Sequence, residues 1–121
     1  MSAERVTLCA LDDLPPGQVR AFRVGEGPWP LAGLVLRHGE GVRAYLNRCP
    51  HAGHPLNLKP DDFLDAEGRY IVCRSHGALF EPANGHCVAG PCAGKWLPRI
   101  PVEVEAGQVL LGAGVTAEDY R

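Results

Sequence analysis

Ile71-Val72-Cys73-Arg74-Ser75-His76-Gly77-Ala78-Leu79-Phe80-Glu81-Pro82-Ala83-Asn84-Gly85-His86-Cys87-Val88 carries two strand signals, a hairpin and a ligand motif within one stretch. The apolar run Tyr70 to Val72 leads straight into Cys73-Arg74-Ser75-His76. Leu79 to Glu81 and His86 to Val88 then flank Pro82-Ala83-Asn84-Gly85, and Asn-Gly is among the strongest short hairpin signals. A Cys/His motif therefore lies in a loop between short antiparallel strands.

The same grammar extends in both directions. Upstream, Phe63 to Leu64 answers Tyr70 to Val72 across Asp65-Ala66-Glu67-Gly68, a second hairpin, and a polar segment from Asn57 to Asp62 precedes it. Before that comes the motif Cys49-Pro50-His51, reached from Val42 to Leu46, which pairs with Leu31 to Arg37 across His38-Gly39-Glu40-Gly41. Val19 to Val24 stops at Gly25-Glu26-Gly27-Pro28, and Val6 to Leu11 is closed by Asp12-Asp13 and Pro15-Pro16-Gly17. Downstream, Ile100 to Glu105 alternates apolar and polar residues and Gln108 to Leu111 answers it across Ala106-Gly107. No segment sustains a helical apolar period. The expectation is an all-β chain of about ten short strands with both Cys/His motifs in loops.

Composition agrees. The 121 residues, with 15 Gly and 11 Pro, suit one turn-rich domain spanning 1–121. A net charge of -2 and the absence of any Lys/Arg-rich run offer no field for nucleic acid. The first residues lack a secretory pattern and no apolar window is long enough to span a bilayer, so the expected setting is soluble and cytoplasmic. There the five cysteines serve metal binding or burial rather than disulfides.

Two Cys and two His suit either zinc or an iron-sulfur cluster by residue type alone. The spacing is informative. Cys49 and His51 are separated by Pro50 only, and in an extended loop residues i and i+2 lie roughly 6–7 Å apart, which suits two neighbouring metal centres better than one tetrahedral ion. Visible colour separates the two readings, because a colourless zinc protein holds no cluster.

Cys49-Pro50-His51-Ala52-Gly53-His54-Pro55-Leu56 and Cys73-Arg74-Ser75-His76-Gly77-Ala78-Leu79-Phe80 resemble the two cluster-binding loops of bacterial Rieske ferredoxins. Gly85, Cys87, Gly90-Pro91-Cys92, Leu97-Pro98 and Pro101-Val102 resemble that family's hairpin, proline loop and final strands. The resemblance implies a base of antiparallel strands carrying a cluster-binding subdomain at about 47–88. It implies one [2Fe-2S] cluster, with Cys49 and Cys73 on one iron and His51 and His76 on the other. It also implies an electron carrier, not itself a catalyst, between a reductase and a terminal oxidoreductase such as a ring-hydroxylating oxygenase. Alternatives are the small subunit of a nitrite-reductase-type complex, or a redox-sensing interaction module.

The 21 residues from Ala52 to Val72 make a longer spacer than the family commonly has, and the extra length falls on the Phe63 to Val72 hairpin. High-potential members carry bridging cysteines and a Ser after the second His-Gly. Here Ser75 and Ala78 stand near those places, and His54 or a neighbour replaces the first-loop cysteine. One hydrogen bond fewer to the cluster implies a potential near the low end of the Rieske range, on the order of -150 mV. With both histidines as ligands, that potential falls as pH rises through the oxidised form's histidine deprotonation.

The remaining candidates carry weaker signals. Cys87 and Cys92 are expected as reduced thiols near the cluster, and Cys9 as core. His54 fits the cluster edge or a turn, His38 and His86 are expected to be solvated, and Trp29 and Trp96 to pack. Gly112-Ala113-Gly114-Val115-Thr116-Ala117 matches a dinucleotide pattern, but no helix or returning strand follows. Asp61, Asp62, Asp65 and Glu67 are expected as a solvated acidic loop, with steering of a basic partner as the alternative.

Overall fold

The computed structural model describes residues 6–25, 30–39, 41–50, 55–57, 59, 61–74 and 77–120, with the side chain of residue 118 excepted. Its strands are β1 (Thr7–Ala10), β2 (Val19–Val24), β3 (Leu31–His38), β4 (Gly41–Leu46), β5 (Ile71–Val72), β6 (Leu79–Phe80), β7 (Cys87–Ala89), β8 (Val102–Glu105) and β9 (Gln108–Leu111). They form three antiparallel sheets in the orders β1-β9-β8, β2-β3-β4 and β5-β6-β7. Two short 3-10 turns, Leu11–Asp13 and Ala117–Tyr120, are the only helical elements among the described residues.

The middle sheet divides the interior. Alternate residues of a strand face opposite sides, so β3 sends Leu34 and Leu36 to one core and Leu31 and Val35 to the other. Both faces are covered, which is why this strand reads as an unbroken apolar run. In β4, Tyr45 joins Leu34, while Ala44 and Leu46 join Val35. The second face packs with Phe22, Ile100, Val109 and Leu111 against the β1-β9-β8 sheet, forming the base. The first face packs with Phe63, Ile71, Phe80 and Leu97, under the segment that carries both ligand motifs.

Tyr45 ties these parts together. It is fully buried, and its hydroxyl donates to the Pro82 carbonyl at 2.7 Å, which satisfies the polar end. Burial, the larger influence, pushes its pKa up despite nearby Arg99 and Arg43. Beyond β4, Leu46 donates to the Pro98 carbonyl and Ile100 to the Ala44 carbonyl, so residues 98–100 cover that sheet edge.

Several expectations shift at the edges. The described residues hold nine strands rather than ten. β1 ends at Ala10 because Leu11 enters a 3-10 turn. The Phe63 to Val72 hairpin closes with a single Leu64–Ile71 bridge, and β5 is paired instead with β6. Asp61 is not a free loop charge. Its backbone sits at φ 59°, and its Oδ1 accepts the Ala21 amide at 2.7 Å, capping the exposed edge of β2.

Asp61→Ala removes this acceptor and places a residue that disfavours positive φ there. It is expected to destabilise the protein by about 1 kcal/mol. Asp61→Asn, which keeps an oxygen and tolerates that conformation, is expected to cost little. Paired urea denaturation curves check the difference.

Candidate metal centre

Cys49 and Cys73 reach one apolar core from opposite ends of the chain's central segment. Cys49 follows β4 after Asn47 and Arg48, and is 1% exposed. Cys73 follows β5 and is fully buried. Both belong to the cluster of Leu56, Phe63, Ile71, Ala78 and Phe80.

Each loop is closed by its own hydrogen bonds. Cys73 donates its amide to the Ala78 carbonyl at 2.9 Å, and Gly77 donates to the Cys73 carbonyl at 2.8 Å, so Cys73 is tied to both Gly77 and Ala78. Asn47 closes the first loop. Its Oδ1 accepts the Leu56 amide at 2.8 Å and its Nδ2 donates to Asn57 Oδ1 at 2.9 Å. The Leu56 carbonyl then accepts the Arg74 amide at 2.8 Å, so one residue joins the two loops.

Asn47 and Arg74 are contributors to the site that sequence reasoning misses. Asn47 is legible only as a polar residue two positions before Cys49. Nothing in the sequence signals that its amide reaches nine residues ahead.

Arg74 also anchors the spacer. Its Nη2 donates to Asp62 Oδ1 at 2.8 Å and to the Leu64 carbonyl at 2.6 Å. Asp65 Oδ1 accepts the Arg69 and Tyr70 amides. Glu67 faces Arg69 at 3.7 Å, with both side chains exposed. The acidic loop is thus largely spent on intramolecular partners, and the long spacer is docked on the second ligand loop. Asp61 and Glu67 are exposed as the solvated-loop expectation has it, and the structure adds intramolecular partners for Asp61, Asp62 and Asp65.

A third segment covers the pair. Gly90 has φ 96°, and a Cβ there would lie 2.7 Å from Ala78 Cα, so only glycine lets this turn press against the second ligand loop. Gly94 donates to the Cys87 carbonyl, Lys95 to the Cys92 carbonyl and Cys87 to the Lys95 carbonyl. These bonds bring Cys87 and Cys92 together as separate thiols with sulfur atoms 3.2 Å apart. Burial first, then hydrogen bonding with Cys87, pushes the Cys92 thiol up to about 12.

His51, His54, Ser75, His76 and Trp29 lie outside the described residues. Among the described residues no group of three or more His, Cys, Asp and Glu gathers as a metal-holding set. His86 differs from expectation: it is half-buried and packs its ring against that of Trp96, centroids 4.5 Å apart and planes tilted by 46°, while Trp96 itself is 54% exposed. His38 is exposed and Cys9 packs against the base core. Ala117 of the glycine-rich match belongs to a single 3-10 turn, and no dinucleotide-binding helix forms there.

The donor set fits an iron-sulfur cluster. Two thiols, each from a different loop, are sequestered from water among apolar side chains, as soft-ligand clusters require.

Comparison with known proteins gives the same answer. The family model of the Rieske [2Fe-2S] domain matches residues 4–106. The chain is 32% identical over 111 residues to the ferredoxin component of the alkene monooxygenase system of Xanthobacter autotrophicus, covering 90% of this chain and 81% of that one. The ferredoxin of carbazole 1,9a-dioxygenase from Nocardioides aromaticivorans superposes with a TM-score of 0.70 at 29% identity, covering 92% of this chain and 99% of that one. A chain of the solved complex of reduced oxygenase and oxidized ferredoxin in carbazole 1,9a-dioxygenase superposes with a TM-score of 0.66 at 31% identity, over 93% of this chain and 94% of that one. The cofactor that accompanies this family is a Rieske [2Fe-2S] cluster, and with a family model matched over most of its length the chain belongs to the Rieske [2Fe-2S] domain family.

Proposed function

We propose that this chain is a one-electron carrier, receiving an electron from a reductase and delivering it to a terminal oxygenase, without transforming a substrate itself. The observation that carries the reading is the burial of Cys49 and Cys73 in one core, on loops joined through Leu56. Cys49 and Cys73 are assigned to one iron, and His51 and His76 to the other. When bound, the cluster supplies reversible one-electron chemistry. The protein holds it in an apolar, rigid seat. The likeness to ferredoxin components of oxygenase systems supports the oxygenase as acceptor.

We further infer that residues 1–121 act as one unit, with the segment at about 47–88 binding the cluster. The separate thiols of all five cysteines support a reducing, cytoplasmic setting. No helix among the described residues is long and apolar enough to cross a membrane.

The deciding experiment is single-turnover transfer. Chemically reduced protein is mixed with an oxidised Rieske oxygenase, and the carrier's visible spectrum is followed. Reoxidation coupled to oxygenase reduction is the expected result, and a cluster that stays reduced defeats the reading.

Ala78 is fully buried and bears no hydroxyl. A midpoint near -150 mV is therefore expected, on the order of the low end for such centres, and Ala78→Ser is expected to raise it. Protein-film voltammetry measures both, and a wild-type midpoint above about +100 mV contradicts the assignment.

A further inference from the structure

Cys87 and Cys92 form a pair outside the assigned ligand set. Both are free thiols, both are 1% exposed, and their sulfur atoms lie 3.2 Å apart. A disulfide bond is about 2.05 Å long, so roughly 1 Å of side-chain movement separates this dithiol from a bond.

The backbone already holds the pair in that relation. Cys87 donates its amide to the Lys95 carbonyl at 2.8 Å and its carbonyl accepts from Gly94 at 3.1 Å, while Lys95 donates to the Cys92 carbonyl at 2.9 Å and Ala93 to that of Gly90 at 3.2 Å. None of these bonds uses a thiol, so joining the sulfurs breaks none of them. It costs the Cys87 thiol its bond to the Ala89 carbonyl at 3.2 Å. The cover over the pair is thin, because Gly90, Pro91, Ala93, Gly94 and Lys95 are all exposed around the buried Cys92. A small neutral oxidant reaches the sulfurs by local opening of one turn, without global unfolding.

We propose that Cys87 and Cys92 are a site of reversible oxidation, closed to a disulfide by a hydroperoxide, and that the closed form staples the 87–95 segment over the Cys73 loop. One thiol becomes a sulfenic acid as the peroxide O–O bond breaks, with water leaving when the oxidant is hydrogen peroxide. The other thiol then attacks that sulfur, forming the S–S bond and releasing a second water, so the pair gives up two electrons and two protons. The same burial that pushes the Cys92 thiol up to about 12 keeps the pair reduced until the turn opens. Gly90 packs on Ala78, whose carbonyl holds the Cys73 amide, so lifting this turn uncovers the Cys73 loop. A bond within the turn removes conformations that lifting would gain.

The first test uses the cluster-loaded wild-type protein, so no variant needs to fold. It is treated with a few equivalents of hydrogen peroxide per chain, denatured with N-ethylmaleimide, digested and mapped by mass spectrometry. Both cysteines fall in the tryptic peptide 75–95. That peptide is expected to lose the mass of two hydrogens and take up no label, and to take up two labels after reduction with dithiothreitol. A peptide that stays fully labelled, or that carries sulfinic or sulfonic acid instead, overturns the oxidation site, as does loss of the cluster's colour before the disulfide forms.

The staple is tested by timing iron release to a chelator before and after peroxide treatment. Release is expected to slow on the order of tenfold in the wild type, and to be unchanged by treatment in Cys92→Ser, which cannot close. Equal rates for oxidised and reduced wild type overturn the staple, as does the same slowing in Cys92→Ser. Neither readout depends on the chain being an electron carrier, so failure of that reading is distinguishable.

Discussion

Cys73→Ala is expected to yield a colourless protein without iron or inorganic sulfide, whereas Cys9→Ala keeps the full complement. Cys73 supplies one of only two thiolates assigned to its iron, from a fully buried position that water cannot fill as a substitute ligand. Cys9 packs against the base core, away from the ligand loops, and burial raises its thiol pKa despite the opposing influence of Arg20. The contrast separates loss of a ligand from general sensitivity to cysteine removal. Visible absorption and chemical iron and sulfide determination check it. A Cys73→Ala protein that retains the iron signal would remove Cys73 from the ligand set.

The second large effect falls on stability. Phe80→Ala is expected to destabilise the protein by about 3–5 kcal/mol, the range for deleting a buried aromatic ring. Phe80 is fully buried in β6, opposite Ile71 and Cys87 in the ladders on either side. It therefore supports both the strand that enters the second ligand loop and the strand that carries the covering turn. Cluster retention should fall with stability, because metal-site binding and folding are coupled. Guanidinium denaturation followed by far-ultraviolet circular dichroism gives the stability change, and iron content after gel filtration gives retention. A loss below about 1 kcal/mol would show that the core collapses around the vacancy and that Phe80 is not a keystone.

Much of the strand pattern is legible in the amino-acid sequence. β2 spans Val19–Val24 and β9 spans Gln108–Leu111, both as their alternation and flanking turns imply. The Asn84-Gly85 turn lies where the dipeptide places it, helped by Asn84 Oδ1 accepting the His86 amide at 2.9 Å. These features depend on neighbours in the sequence, which is where propensity and turn chemistry act. The pairing of β1 with the far terminal hairpin is not legible, nor is the Leu64–Ile71 bridge in place of a full ladder. Such choices depend on which apolar faces meet across long loops.

The same division runs through the site. The sequence by itself determined the donor types and their spacing, because Cys and His chemistry and the strand-loop rhythm around them are local. It also determined that Ala78 offers no hydroxyl. Only the tertiary structure decided that Asp61 bonds to β2 and Asp62 to Arg74. Only it gathered Cys49, Cys87 and Cys92 into one buried core. The physical reason is that hydrogen-bond partners and buried sulfurs are selected by three-dimensional proximity, which chain closure creates and no single stretch of residues encodes.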